Sequence, residues 1–180
     1  MKTALITGCN RGLGEGIRNV LLKNGYKVIG LNRTVNNFKK ENYLEIECDI
    51  SSSENIEKIK NQINEKIDLL VINAGIRRFN KIEDMKKEEW ESSVNTNLNG
   101  AFYVLNEFTE NAKKAKGDIV IVGSHSEKYT FEEGAAYCST KLALRGMSEC
   151  LREELRYDDI RVMYLSLGSI KNRDHNIDEE

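Results

Sequence analysis

Proline is missing altogether from the 180 residues, so no turn in the chain is preset by a pyrrolidine ring. The four cysteines, Cys9, Cys48, Cys138 and Cys150, stand at no metal-ligand spacing, and no metal is expected. They read as reduced thiols of a cytoplasmic protein. Long apolar runs are missing too. None approaches the ~20 residues a membrane span needs. The opening MKTALITGCNRG has too short an apolar run for a secretion signal and no cleavage site. Charge of one sign is scarce: 27 basic against 29 acidic residues leave a net charge of −2, which gives neither nucleic acid nor a membrane surface a reason to bind. With 39% hydrophobic and 31% charged residues, the chain suits one globular domain with a sizeable core. No repeat, linker or low-complexity run divides it.

Short apolar or alternating runs predict strands at 2–7 (KTALIT), 27–31 (KVIGL), 43–47 (YLEIE), 68–72 (DLLVI), 118–122 (DIVIV) and 160–166 (IRVMYLS). Helical spacing lies between them. Leu13, Ile17, Val20 and Leu21 follow the first strand, with Gly25 as a helix stop. A capping box, Ser51-x-x-Glu54, opens a helix lined by Ile56, Ile59, Ile63 and Ile67. A long helix is expected over 87–113, its inner side marked by Trp90, Val94, Leu98, Ala101, Phe102, Leu105 and Phe108. Asn95, Asn97, Asn99 and Gly100 are poor helix formers in its middle and predict a kink or a polar side chain placed for use. The last helix covers 134–156, with Ala136, Ala143, Leu144, Met147, Leu151 and Leu155 on one face. The acidic end, 173–180, reads as a disordered tail. Alternating strands and helices give a doubly wound parallel sheet with helices on both faces, whose ligands sit beyond the carboxyl ends of the strands.

Polar features collect at those ends. Gly8-Cys9-Asn10-Arg11-Gly12-Leu13-Gly14 lies between a strand and a helix. Its glycines admit a close ligand and the new helix offers unpaired N–H groups, so the turn suits the phosphates of a dinucleotide. The spacing differs from the common Gly-x-Gly-x-x-Gly fingerprint. An acid at the end of the second strand would hold the ribose hydroxyls of NAD. Here stand Asn32 and Arg33. A guanidinium there pairs with a 2′-phosphate, and Arg11 is expected to approach the same phosphate. Asp49 ends the third strand near the expected adenine, with Ile50 beside it. Asn73-Ala74-Gly75 and Ser124 end the fourth and fifth strands. Tyr137 and Lys141, four apart, share a helix face. A neighbouring ammonium stabilises a phenolate whose proton ordinarily leaves near pH ~10, so the pair suits proton transfer. Ser124 and His125 are chain neighbours whose side chains diverge, which argues against a hydrolase. His125 reads as local structure and His175 as solvated tail.

In order and spacing, TGCNRGLG (Thr7–Gly14), Asp49, NAG (Asn73–Gly75), Asn97, Ser124 and YCSTK (Tyr137–Lys141) resemble the short-chain dehydrogenase/reductase family, from Met1 to about Asn172. The resemblance implies a Rossmann-type sheet in the order 3-2-1-4-5-6 over residues 1–172, and a catalytic tetrad Asn97, Ser124, Tyr137 and Lys141. Tyr137 would exchange a proton with the substrate oxygen, Lys141 would also bind the nicotinamide ribose, Ser124 would bond the substrate oxygen, and Asn97 would hold a water. NADP(H) would be held by Gly8, Asn10, Arg11, Gly12, Leu13, Gly14, Asn32, Arg33, Asp49, Ile50, Asn73, Ala74, Gly75, Tyr137, Lys141, Gly168 and Ile170. Two departures stand out. Leu167-Gly168 and Asn172 occupy the family's Pro-Gly and Thr positions, with Asn172 placed to bond the nicotinamide carboxamide. The usual seventh strand and substrate loop are expected to be absent, so one wall of the usual pocket is missing unless a partner subunit supplies it. The implied function is a carbonyl–alcohol oxidoreductase; the alternative is an NADP(H)-binding sensor or a catalytically weak relative. A homodimer through helices 87–113 and 134–156 is expected, Leu142 lying outside the core stripe.

Overall fold

The computed structural model describes residues 1–36 and 38–170. Asn172 and the 173–180 tail lie outside these. The strands are β1 (Thr3–Thr7), β2 (Lys27–Asn32), β3 (Tyr43–Glu47), β4 (Leu69–Ile72), β5 (Asp118–Val122) and β6 (Val162–Leu165). They form one parallel sheet in the expected order β3-β2-β1-β4-β5-β6. Among the described residues β3 and β6 are the edge strands.

Strand alternation sorts the core into two layers. Leu5, Ile29, Leu70, Ile119 and Ile121 join the cluster under α2 (Ser53–Lys60), α4 (Gly100–Ala115) and α5 (Ala135–Glu154). Ile6, Val28, Val71 and Val122 join the cluster under α1 (Gly12–Lys23), met by Leu13, Ile17, Leu21 and Leu22. Each fully buried Leu or Ile contributes about 1.5–3 kcal/mol. The faces are unequally covered. On its face α1 is the sole helix among the described residues, and Met163 and Leu165 of β6 stay exposed there.

Strand–helix alternation lapses between β2 and β3, where the described residues form no helix. The cover there is aromatic instead. Phe38 packs edge-on against Tyr43 and lies 4.0 Å from the Arg18 guanidinium carbon. The expected cap also moves by one residue. Ser52 is the N-cap of α2, accepting from Asn55 N, while Ser51 turns back to Asp49. The helix ends at Lys60, so Ile63 and Ile67 are buried beyond it and not on it.

The long helix is broken as its asparagines suggest. After α3 (Lys87–Val94) comes a π-helical turn, Asn95–Asn99, and then α4. The wider turn shifts the register of α4 against α3, so no single stripe runs through both. Trp90 and Phe102, expected inside, are exposed. Val20 of α1 is exposed as well, because that helix meets a sheet on one side only.

Candidate active site and cofactor cleft

The chain leaves β1 with Gly8 and Gly12 at φ +66° and +57°, a region that costs a residue bearing a Cβ about 1–2 kcal/mol. Gly14 is needed for a different reason. A Cβ there would lie 2.1 Å from the Gly8 carbonyl oxygen and 2.6 Å from Asn73 Nδ2. The start of α1 is therefore pressed onto the turn. Arg11 is its N-cap and gives no side-chain cap, so the first-turn N–H groups meet no such acceptor at the positive end of the helix dipole. A concave backbone kept clear of Cβ atoms, ending in an uncapped helix, fits a dinucleotide's diphosphate. From β4, Asn73 Nδ2 donates to Thr7 O and Gly8 O at 3.0 and 2.7 Å. Thr7 Oγ1 accepts from the N–H groups of Asn73 and Ala74, both at 3.0 Å.

Asn32 differs from its expected part. It is buried, and its Oδ1 accepts from Cys9 N at 2.8 Å. Its Nδ2 donates to Asn10 Oδ1 at 2.7 Å and to Glu45 Oε1 at 3.0 Å. The side chain is spent on holding the glycine turn, since β2 aims it under the turn and not out of the cleft. Asn10 in turn donates to Thr34 O at 2.6 Å. That bond joins the neighbours of Arg11 and Arg33, and both arginines are exposed on this rim. Asp49 Oδ1 accepts from Ser51 N and Oγ, closing the turn after β3. The Ile50 side chain is spent in the core: a Cβ on Gly100 would lie 2.8 Å from Ile50 Cγ1. Only its backbone is left to face a ligand.

The second half of the cleft is built on α5. Tyr137 is half-buried and Lys141 is 5% exposed. Lys141 Nζ donates to Val122 O at 2.9 Å and lies 5.8 Å from the Tyr137 ring centre. Burial lowers the ammonium to about 8; Arg77 pushes the same way and Glu127 opposes. Asn97, on the π-helical turn, clamps the loop after β4. Its Oδ1 accepts from Ile76 N at 2.7 Å, and its Nδ2 donates to Ile76 O at 2.9 Å and to Thr140 Oγ1 at 3.1 Å. Both N–H groups are taken, so the side chain positions this loop, and its Oδ1 keeps one lone pair with which a water can bond. Gly75 sits between the two, where a Cβ would be 3.2 Å from Asn97 Oδ1 and 3.8 Å from Lys141 Nζ.

Ser124 is buried at the end of β5, its Oγ accepting from Ser126 N at 3.2 Å and 2.9 Å from Ser126 Oγ. His125 is exposed and makes no pair with Ser124; its N–H donates to Leu167 O at 2.8 Å. Gly168 lies over it, a Cβ there falling 3.5 Å from His125 Nδ1. Ile170, half-buried, is the last described residue. Among the described residues no group of His, Cys, Asp and Glu could hold a metal, and no helix is long and apolar enough to cross a membrane.

Two supports were not legible beforehand. Arg18 is buried under the glycine turn and donates to Cys9 O at 3.1 Å. Its spacing of four from Gly14 puts it on the same helix face, and that was the available signal. Glu127, whose side chain is 1% exposed, accepts from the Tyr164 hydroxyl and lies 3.9 Å from Arg145 Nη1. Tyr164 also donates to Lys141 O at 3.1 Å. Burial and Glu127 hold the Tyr164 phenol above the usual tyrosine range. Nothing local in the sequence pairs residue 127 with residue 164.

The model of the short chain dehydrogenase family matches residues 2–178. The chain is 35% identical to the 3-oxoacyl-(acyl-carrier-protein) reductase FabG of Buchnera aphidicola subsp. Acyrthosiphon pisum, over 94% of this chain and 74% of that protein. It superposes on a 4-hydroxyisoleucine dehydrogenase complexed with NADH at a TM-score of 0.90, with 27% identity, over 96% of this chain and 75% of the other. An alcohol dehydrogenase from the archaeon Thermococcus sibiricus, complexed with 5-hydroxy-NADP, gives 0.88 and 28% over 94% and 77%.

Proposed function

The chain belongs to the short-chain dehydrogenase/reductase family, and from that premise we propose that it interconverts a small-molecule carbonyl and an alcohol by hydride transfer with NADP(H). The observation that carries this is the buried Lys141, tied to Val122 O and 5.8 Å from the Tyr137 ring centre, beside a loop clamped by Asn97. Bound cofactor would supply the hydride chemistry. The turn Gly8–Gly14 would hold its diphosphate, and Arg11 and Arg33 its 2′-phosphate. Asp49 and the Ile50 backbone would face the adenine. Asn73, Ala74, Gly75, Gly168 and Ile170 would line the nicotinamide half, and Tyr137 and Lys141 would meet its ribose.

In reduction the Tyr137 hydroxyl gives its proton to the substrate oxygen as that oxygen gains negative charge. The Ser124 O–H, turned off Ser126 Oγ, donates a hydrogen bond to the same oxygen. The Lys141 ammonium offsets the charge left on the Tyr137 oxygen. In oxidation the proton runs back. The exposed guanidiniums of Arg11 and Arg33, joined through the Asn10–Thr34 bond, support NADP(H) over NAD(H). A homodimer through α3, α4 and α5 is supported by exposed Trp90, Phe102 and Leu142; sedimentation as a monomer at micromolar concentration would oppose it. Free thiols at Cys9, Cys48, Cys138 and Cys150 support a cytoplasmic setting. The deciding experiment is NADPH consumption against a panel of aldehydes and ketones. Tight NADPH binding with no carbonyl reduced would leave a cofactor-binding protein instead.

A further inference from the structure

Beside Tyr137 stand two aromatic rings for which the reaction so far has no use. Phe79 lies on the loop after β4 and Phe131 on the loop before α5, 47% and 45% exposed. Phe79 meets Tyr137 edge-on, ring centres 5.8 Å apart at 87°, and meets Phe131 at 5.2 Å and 86°. Three rings in a row thus begin at the proposed proton donor.

Both phenylalanines of the row are anchored. Three residues before Phe79, Ile76 is held at both N–H and carbonyl by Asn97. One residue after it, Asn80 N donates to Glu133 O at 2.9 Å, joining the two loops. Gly134 N donates to Phe131 O at 3.1 Å. A Cβ on Gly134 would lie 2.9 Å from the Phe131 ring, so only glycine lets that ring settle against the start of α5. Two large apolar rings are therefore held half in solvent, by a fixed scaffold, on the rim where a substrate would meet Tyr137. Edge-on contact between aromatic rings stabilises beyond area burial alone.

Resting on the proposed carbonyl chemistry, we infer that Phe79 and Phe131 form the substrate wall and select a carbonyl carrying a flat aromatic substituent. Phe79 contacts both that substituent and the proton donor, so it also positions Tyr137. Acetophenone and cyclohexyl methyl ketone carry the same number of carbons but differ in ring planarity. Conjugation makes their intrinsic reactivities unequal, so the change in their kcat/KM ratio between wild type and variant is what reports aromatic contact.

With NADPH, the wild type should favour acetophenone. Phe131→Ala should lower that preference about tenfold, the scale of a well-packed aromatic pair, mainly through KM. Phe79→Leu, which keeps apolar bulk, should lower the preference and also kcat. Melting temperatures check that both variants fold, and Phe131→Leu serves if Phe131→Ala does not. Variants whose preference matches that of the wild type would overturn the wall. If no carbonyl is reduced at all, the proposed function fails separately, and acetophenone titrated into the protein with saturating NADP⁺ still decides. Binding weakened by Phe131→Ala supports the wall, and no binding overturns it.

Discussion

The two halves of the cleft use their polar side chains in opposite ways. In the half formed by β1, β2 and β3, Thr7, Asn10 and Asn32, met by Asn73 from the end of β4, bond to one another and to the backbone. What remains for a ligand is main-chain N–H, bare glycine surface and two exposed arginines. In the half formed by β4, β5 and α5, Asn97 is spent as a clamp, while Tyr137 and the buried Lys141 stand together on α5, the ammonium 5.8 Å from the ring centre. Binding a fixed group such as a diphosphate needs a rigid backbone shape. Moving a proton needs a side chain whose ionisation is tuned by burial and neighbours. A change in the first half should therefore act on affinity, and a change in the second on rate.

Tyr137→Phe tests this most severely. It removes one hydroxyl and leaves the ring on Phe79. Carbonyl reduction should fall by about 10²–10⁴ while NADPH affinity, read by titration, stays near that of the wild type. Comparable losses in both would erase the distinction between the halves. Arg33→Ala should do the reverse, weakening NADPH by about 1.5–3 kcal/mol, the scale of a bond to a charged group. NADH binding should barely move, and equal losses for the two cofactors would remove Arg33 from the 2′-phosphate. Gly14→Ala strikes shape alone. Its Cβ at 2.1 Å from Gly8 O should cost about 1–3 kcal/mol of stability in a denaturant titration, and weaken NADPH and NADH alike. A cofactor affinity untouched by that change would mean that the turn carries no diphosphate.

The same contrast governs what could be read beforehand. The strands themselves, the glycine turn and the Tyr137–Lys141 pair were legible because each depends on local pattern: alternation, spacing, a four-residue step. The order of the strands came with the family resemblance. The break at Asn95–Asn99 was legible as poor helix formers, although its consequence, Trp90 and Phe102 turned outward, needs the π-helical register itself. Asn32 was read by position in the strand, but its partner atoms come from Cys9, Asn10 and Glu45, on two other elements. Glu127 was invisible for the same reason, because its meaning lies in Tyr164 across the sheet edge. That the described residues between β2 and β3 form no helix leaves no positive signal in a sequence. Only the aromatic cover of Phe38 and Tyr43 over Arg18 shows how the gap is closed.

The smallest expected effects sharpen the second half further. Burial and Arg77 disfavour the Lys141 ammonium, Glu127 favours it, and the balance is about 8. Arg145 and Tyr164 also face Glu127, but neither changes charge near neutrality: guanidinium stays protonated, and the Tyr164 phenol is held above its usual range. Glu127→Gln leaves the two disfavouring influences unopposed, so the ammonium should be lost at lower pH. The alkaline limb of the reduction rate should move the same way, and Arg77→Ala should move it upward. At pH 7 the change in rate should be modest, since Glu127 is the smallest of the three influences on Lys141. Stability supplies a second reading with a definite sign. Between about pH 8 and the ordinary lysine value of 10.5, the unfolded chain holds the proton and the folded one does not. Unfolding free energy should therefore rise with pH across that window, the cost of the buried ammonium being fully present below it. Lys141→Met should flatten that rise, and an unaltered slope would mean that Lys141 does not titrate there.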